Sequence, residues 1–388
     1  MRPPDLDRIL SAMLKTYDGI SDLNFSVGHP LQVEDFGELK PVYVDPPIER
    51  LTPYQTEHLA LTIMQGNRRL MRDYVQEGSC DCSYSLNREA RFRVNIFRQQ
   101  GNFAIVMRKL QAEVPSREAL GLPPVLEQIA REKTGLVLVT GATGSGKTTT
   151  LAALLNEVNA KQSVHVVTLE DPIEFIHPAL CATFNQRELG LDFESYPCGL
   201  RAALRQAPKI ILVGEMRDRA TVEVALMAAE TGHLVLSTLH TIDAGQSINR
   251  ILGMYSLGEE QQLRLRLADS IRYIVSQRLA PKVGGGRQLL TEIMGHNLRT
   301  REAIALGENE ARNFYEIIEA SAPFGWCTFD QSILREYEAG NISEETAHLF
   351  ASKKGRISRG IDLIQKMRGI ENDSGTDLRL DRPVNAFR

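Results

Sequence analysis

The sequence predicts an α/β protein in which a small α+β unit precedes a larger unit built on a parallel sheet. Its 388 residues suit two domains better than one. Short, nearly all-apolar runs separated by helix-like segments occupy residues 135–140, 164–169, 210–214 and 233–237. Such strands, alternating with helices, are typical of a parallel sheet that is buried on both faces. Residues 90–97 instead alternate between apolar and polar side chains, as in a strand with one solvated face.

The smaller unit is predicted from a strand, a helix and a hairpin. Residues 21–27 form the strand, and a capping box from Thr52 to Gln55, with proline at the first helical position, begins the helix. The hairpin joins residues 90–97 to a second strand through the turn residue Gly101.

The larger unit is expected to become helical from about residue 244. A second capping box, from Thr328 to Gln331, begins a helix that Gly340 ends. The predicted divisions are an N-terminal domain 1–112, a linker 113–124, a second domain 125–368, and a polar tail 369–388 that we expect to be disordered.

The composition is that of a soluble globular protein without a strong charge bias. Hydrophobic residues make up 43% of the chain, and 45 basic against 49 acidic residues leave a net charge of −4. This balance argues against direct nucleic-acid binding, which depends on neutralising phosphates. The chain starts without an export signal, and its apolar runs fall short of the ~18 residues that cross a bilayer. We therefore expect a cytoplasmic protein that reaches a membrane only through a protein partner.

Five scattered cysteines fit a reducing compartment rather than a disulfide framework. Cys80 and Cys82 lie closest together. A metal site there is disfavoured, because the sequence has no second cysteine pair to complete a tetrahedral ligand set.

Residues 141–148, with the sequence GATGSGKT, match the full P-loop pattern between an apolar strand and a helix. Glycines allow the backbone to wrap an anion, so that successive N–H groups point at phosphates. Lys147 supplies a positive charge for the β and γ oxygens, and Thr148 supplies a hydroxyl for Mg²⁺. The predicted ATP-binding residues are Gly141, Ala142, Thr143, Gly144, Ser145, Gly146, Lys147, Thr148 and Thr149.

Two acidic segments follow predicted strands and supply the groups that hydrolysis requires. One runs from Glu170 to Glu174, and the other is Glu215, which ends an apolar run as in a Walker B segment. Ligands of parallel-sheet proteins bind at the carboxyl ends of strands. We assign Glu174 as the base that orients water and Glu215 to the Mg²⁺ shell, and the exchanged assignment stays open.

Two histidines, His233 and His240, flank the last apolar run. One interpretation is that they sense the terminal phosphate or contact a neighbouring subunit. The alternative is a structural pair whose ring nitrogens are satisfied by hydrogen bonds.

Four segments in this order resemble the boxes of the secretion ATPase superfamily, most closely its PilT group of pilus ATPases: GATGSGKT, LEDPIEFIH, ILVGEMRD and AAETGHLVLSTLHT. The resemblance covers about residues 20 to 350. It implies a PAS-like N-terminal domain, a RecA-like P-loop ATPase domain with C-terminal helices, and a homohexamer with ATP between subunits. It also implies a motor that hydrolyses ATP to drive type IV pilus retraction and twitching motility. Such a motor would dock on an inner-membrane platform protein at the cytoplasmic face.

The resemblance also assigns roles to individual residues. Arginines of the N-terminal domain reach the γ-phosphate in this superfamily, and Arg93 and Arg108 occupy matching places on the two hairpin strands. A guanidinium group suits this task, because its planar fork bonds phosphate oxygens in pairs. Arg98 and Arg217 are weaker candidates. The catalytic set implied by the resemblance is Lys147, Glu174, Glu215, His233, His240, Arg93 and Arg108.

Three departures from the family pattern leave alternatives open. Residues 300–307 match the AIRNLIRE-like motif of the retraction group only loosely, Ala207-Pro208-Lys209 replaces the usual Asp-Pro-Asp, and Asn24 replaces a common histidine. A PilU-like accessory motor and a type IV secretion system ATPase therefore remain alternatives. A RecA-like nucleic-acid motor is the alternative from another class. A basic cluster near the end is a docking surface or, alternatively, a solvated helix face: Lys353, Lys354, Arg356 and Arg359.

Overall fold

The computed structural model describes residues 3–45, 47–87, 89–110, 113–310 and 312–369. Of the predicted tail, residues 370–388 lie outside these ranges. The described chain confirms the predicted α/β class, with an N-terminal β-rich unit, a second unit around a mainly parallel sheet, and helices at its C-terminal end. The helices in these ranges are all too short or too polar to cross a membrane.

The N-terminal unit is a six-stranded antiparallel sheet with the strand order β3-β2-β1-β6-β5-β4. The predicted capping box is present, with Thr52 as the N-cap of α2. The predicted hairpin is also present and joins β5 to β6 through Gly101. The elements are α1 (Pro3–Leu14), β1 (Ile20–Phe25), β2 (Leu31–Asp35), β3 (Glu38–Val42), α2 (Pro53–Met64), α3 (Arg68–Glu77), β4 (Ser79–Leu86), β5 (Ala90–Gln99) and β6 (Asn102–Lys109). The likeness of this unit to a PAS domain stays a prediction.

Strand β5 has two different faces. Phe92, Val94 and Ile96 are fully buried in the N-terminal core. Because successive side chains of a strand point to opposite faces, Arg91 and Arg93 lie together on the other face. Cys80 and Cys82 belong to the same apolar core, and burial raises the pKa of their thiols to about 11 and about 12.

The second unit is a seven-stranded sheet with the order β13-β12-β7-β11-β10-β8-β9, parallel except for β13 at one edge. Apolar clusters cover both faces, as the apolar strands predict. Residues 113–124 form turns and loops ahead of it. Its elements up to the last strand are α4 (Val125–Ile129), β7 (Gly135–Thr140), α5 (Lys147–Lys161), β8 (His165–Glu170), β9 (Thr183–Glu188), α6 (Tyr196–Ala203), β10 (Ile210–Val213), α7 (Arg219–Glu230), β11 (Leu234–Leu239), α8 (Ala244–Leu252), α9 (Leu257–Ser270), β12 (Ile271–Pro281) and β13 (Arg287–Gly295).

The expectation that the chain becomes helical from about residue 244 is wrong for residues 271–295. Two helices come first, but β12 and β13 then form a hairpin that extends the sheet beside β7. The apolar pattern of β12 is interrupted by Ser276 and Gln277, which are buried and hydrogen-bonded to Thr140 and Thr150. Because these two buried positions are polar, the strand lacks the continuous apolar run by which the other strands are predicted.

The C-terminal helices pack on this hairpin and form a fourth apolar cluster around Phe329. Helix α12 begins at the predicted capping box, and Gly340 follows it with a φ of +75°. The Arg278 guanidinium of β12 lies over the Phe329 ring, 3.8 Å from its centroid. Within the basic cluster, Arg356 pairs with Glu319, and Lys353 lies over the Tyr315 ring. The helices are α10 (Leu298–Leu306), α11 (Phe314–Ala320), α12 (Phe329–Glu338), α13 (Glu344–Phe350) and α14 (Lys354–Met367).

Candidate active site

The P-loop connects β7 to α5 at the carboxyl edge of the sheet. Gly144 and Gly146 adopt φ values of +80° and +88°, which the left-handed turns of the loop require. Gly146 is the N-cap of α5 and has no side chain to cap the first N–H groups of the helix. Uncapped N–H groups at a helix N-terminus bind anions. The loop therefore suits the phosphates of a nucleotide.

Lys147 has a buried ammonium group inside this loop. Its Nζ donates to the carbonyl oxygens of Gly141 (2.9 Å) and Ala142 (3.0 Å). Burial lowers the pKa of Lys147, and the charges of Glu215 and Glu174 oppose that effect. A cation held against loop carbonyls, with carboxylates as its nearest counter-charges, would be stabilised further by a polyanionic ligand.

Glu174 lies beside the P-loop, on the segment that follows β8. Its carboxylate accepts a hydrogen bond from the Thr148 side chain. Burial raises the pKa of Glu174, and the Thr148 hydrogen bond and the charges of Arg93 and Lys147 partly offset that rise. The structure thus brings Glu174 together with Thr148, Lys147 and Arg93.

Glu215 follows β10, which lies between β8 and β11 in the sheet. Its carboxylate contacts Arg217 Nη2 at 2.8 Å and His240 Nε2 at 3.3 Å. Burial acts to raise the pKa of Glu215, but the hydrogen bond and charge of Arg217, together with His240, outweigh burial and hold the pKa below its usual range. Glu215 therefore stays ionised, and its charge acts on Lys147 of the P-loop.

The two candidate arginines have different surroundings. Arg93 and Arg108 are directly opposite each other on paired strands. The charge of Arg93 acts on Glu174, whereas Arg108 donates from Nε to Asp22 Oδ1 at 2.9 Å and remains largely exposed. Arg98, the weaker candidate, lies over the Tyr74 ring of its own unit.

The two histidines lie at opposite ends of β11. His240 follows the strand and contacts Glu215. His233 precedes the strand, where its Nδ1 is 3.1 Å from the Ala228 carbonyl oxygen and its own carbonyl accepts from Gly135. Since β11 has six residues at ~3.3 Å each, about 20 Å separates its two ends. Within one chain the structure does not bring His233 to the P-loop.

A cavity of about 320 Å³ adjoins the P-loop on the side of β12. Its walls combine P-loop residues with three apolar residues: Ile242 from the loop after β11, Leu279 from β12 and Phe350 from α13. Arg278 also lines the cavity and donates to the Phe350 carbonyl oxygen at 2.8 Å. A cavity of this character suits the flat, partly apolar end of a nucleotide.

Two features of the site were missed at the sequence level. Glu170, within the first acidic segment, is buried, and burial raises its pKa to about 7 despite hydrogen bonds from Thr168 and Gln186. Glu188, at the end of β9, pairs with Arg91 of the N-terminal unit. Glu188 and Arg91 are 97 residues apart in the chain, and the local sequence carries no signal that connects them.

Comparison with known proteins identifies the class. Residues 61–318 match the family model for type II/IV secretion system proteins. The type IV pilus retraction ATPase PilT of Pseudomonas aeruginosa is 38% identical over 343 residues, which cover 88% of this chain and 97% of that protein. The type IV pilus ATPase PilU of the same organism is 35% identical over 371 residues, which cover 95% and 93%. A crystal structure of the pilus retraction motor PilT with bound ADP superposes with a TM-score of 0.79, at 38% identity, covering 91% of this chain and 98% of that one.

The chain belongs to the type II/IV secretion system protein family, and within it resembles PilT. It is an ATP-hydrolysing enzyme, and the ADP-bound relative supports its use of a nucleotide. Family membership confirms the predicted resemblance and favours the pilus or secretion motor over the nucleic-acid motor.

Proposed function

We propose that this protein is a hexameric motor that converts ATP hydrolysis into retraction of a type IV pilus. The observation that carries the proposal is the convergence of Lys147, Glu174 and Glu215 from three separate strand ends at one P-loop. Its relatives named for pilus retraction match over nearly the whole chain, which supports the choice of machine.

Lys147 and the first N–H groups of α5 would hold the phosphates, and the cavity beside the P-loop would take the base and sugar. Thr148 and Glu215 would hold Mg²⁺, which supplies positive charge for the phosphate oxygens when bound. Glu174 would accept the proton of the attacking water. The hydrogen bond between Thr148 and Glu174 supports the exchanged assignment as well, in which Glu174 belongs to the Mg²⁺ shell.

The N-terminal arginines would connect hydrolysis to movement. Arg93 and Arg108 lie on a face that is separate from the N-terminal core. If they bond the terminal phosphate of ATP, its loss removes their partner and frees the N-terminal unit to reorient. His240 would relay the state of the site through Glu215, and His233, at the far end of β11, would contact a neighbouring subunit.

As partners we propose five further copies of the chain and a platform protein at the inner face of the cytoplasmic membrane. The PilU-like accessory motor is the second candidate, because PilU matches 95% of this chain. A type IV secretion system ATPase remains the third.

The decisive experiment is deletion of the gene, complemented with the native chain or with Glu174→Gln. Excess surface pili without twitching would support retraction, and cells without pili would indicate assembly instead. Normal pili with weakened twitching would support the accessory role. Phosphate release by the purified native chain tests the enzyme itself, with Lys147→Ala as the inactive control.

A further inference from the structure

Glu188 is a carboxylate shared between the two units of the chain. Its Oε2 atom lies 3.1 Å from Arg91 Nη2 in β5 and 3.2 Å from the backbone nitrogen of Ile173. The side chains of Arg91 and Glu188 are only 17% and 4% exposed. Loss of one partner from a shielded ion pair leaves an uncompensated charge, which is strongly unfavourable. Each group therefore depends on the other for its place.

Ile173 is the residue immediately before Glu174. Its N–H is fixed by Glu188, so the direction in which Glu174 leaves the backbone is linked to the Glu188 carboxylate. Glu188 is itself held at the end of β9, where its register partner is Glu170 and its backbone N–H donates to Asp192 Oδ2 at 2.8 Å. The Glu188 carboxylate is thus held in place by β9 and anchors the segment of Glu174 through the Ile173 N–H.

A second contact brings the N-terminal unit to the same place. The guanidinium of Arg69 in α3 packs on Gly190, where an added Cβ would come 2.1 Å from Arg69 Cζ. Gly190 has a φ of +83°, so the turn after β9 both bends sharply and leaves room for that arginine. Two arginines from different elements of the N-terminal unit therefore meet the segment 188–190.

We propose that Glu188 is a positioning residue that holds Glu174 in its catalytic orientation only while the N-terminal unit is docked through Arg91. The inference rests on the proposed function in taking Glu174 as a catalytic carboxylate. When the N-terminal unit moves away, Arg91 leaves Glu188, the carboxylate turns toward water, and the Ile173 N–H loses its acceptor. Catalytic competence is then set by domain docking rather than by nucleotide binding alone.

The test compares the full-length native chain with Glu188→Gln, Arg91→Gln and the double variant. The carboxamide introduced by Glu188→Gln can still accept from Ile173 but no longer forms an ion pair with a guanidinium. We expect each single variant to lose about tenfold or more in kcat with KM for ATP within about twofold, and the double variant to lose no more than the worse single one. Arg91→Lys keeps the charge and should recover most of the rate. The proposal would be overturned if the fold losses in kcat of the two single variants multiplied in the double variant, or if KM rose while kcat stayed unchanged.

A second readout does not depend on turnover. Hydrogen exchange is measured on the peptide containing Ile173 in the nucleotide-free protein. Exchange at this amide should be about tenfold faster in Arg91→Gln than in the native chain. Glu157→Gln is the matched control, because Glu157 is also largely shielded and paired with cations, Arg117 and Lys161, whereas the Ile173 N–H donates to Glu188. Unchanged exchange in Arg91→Gln would refute the link. A native chain that never hydrolyses ATP would refute the proposed function, while the exchange result would still decide this inference.

Discussion

Replacement of Glu292 by glutamine should make the second unit of the chain, the ATPase unit, more stable above neutral pH. Glu292 is buried in β13, where its Oε1 accepts from the Ala244 N–H at 3.1 Å. Burial raises the pKa of Glu292 to about 7, against an opposing effect of the Ala244 hydrogen bond, and the charge of Asp243 adds to the rise. The folded protein therefore prefers the neutral acid, and ionisation at higher pH costs stability.

The magnitude follows from that pKa. Stability from a raised carboxyl pKa is present below the unfolded value of 4.5 and is lost as the pH rises through about 7. At about 1.36 kcal/mol per pH unit, the loss approaches ~3 kcal/mol. The side chain introduced by Glu292→Gln retains an oxygen for Ala244 and never ionises. For a domain of this size, ~3 kcal/mol corresponds to a rise in Tm of about 6 °C or more.

The assay is urea unfolding followed by the fluorescence of Trp326, the one tryptophan of the chain, which is buried in the ATPase unit. We expect the free energy of unfolding of Glu292→Gln to match the native value near pH 4 and to exceed it by up to ~3 kcal/mol near pH 8. Glu259→Gln is a control whose effect on stability should depend on pH in the opposite direction, because the hydrogen bonds from Ser256 and Arg219 lower the pKa of Glu259 to about 2. A stability difference for Glu292→Gln that is independent of pH, or a loss that grows toward pH 8, would refute the reasoning.

Three further predictions concern the site and its support. Glu174→Gln should reduce kcat by about 100-fold or more while ATP still binds, as measured by phosphate release and equilibrium binding; full turnover would contradict a catalytic role. Burial raises the pKa of Glu174, and the charge of Arg93 lowers it. As the pH falls, kcat should therefore decrease at a pH above the usual range of glutamate pKa values. Arg93→Gln should move this decrease in kcat to higher pH, whereas Arg108→Gln should not, and equal shifts in the two variants would contradict this. Gly295→Ala should lower the free energy of unfolding by about 1–3 kcal/mol, because the added Cβ would lie 2.4 Å from the Trp326 ring. Gly258→Ala, on open helix surface, is the control and should not lower it. The measurement is Trp326 fluorescence during urea unfolding.

The sequence predicts the parts of the site that depend on strand order alone. A P-loop, an acidic segment after β8 and Glu215 after β10 must meet, because parallel strands bring their carboxyl ends to one edge. Both capping boxes were found because each is a local signal, in which the N-cap residue and the residue three positions later bond each other.

The missed features depend on contacts between residues distant in sequence or on polar side chains at buried positions. The pairing of Arg91 with Glu188 joins two sheets, and no spacing or periodicity encodes it. Strand β12 was missed because Gln277 bonds Thr150 of the P-loop helix, which makes a buried position polar. His233 and His240 look equivalent in the sequence, yet the direction of β11 places only His240 beside Glu215.

In the proposed mechanism, the period of strand β5 connects docking of the N-terminal unit with catalysis. Arg91 and Arg93 are two residues apart, so they project from the same face at a separation of ~6.6 Å along the strand. One meets Glu188, which anchors the Ile173 N–H, and the other acts on Glu174 itself. A rigid strand cannot withdraw one arginine and leave the other in place. In the proposed mechanism, a movement that carries β5 away as a whole breaks the Arg91 pair together with the influence of Arg93 on Glu174, and the state of the Glu174 segment then reports domain position.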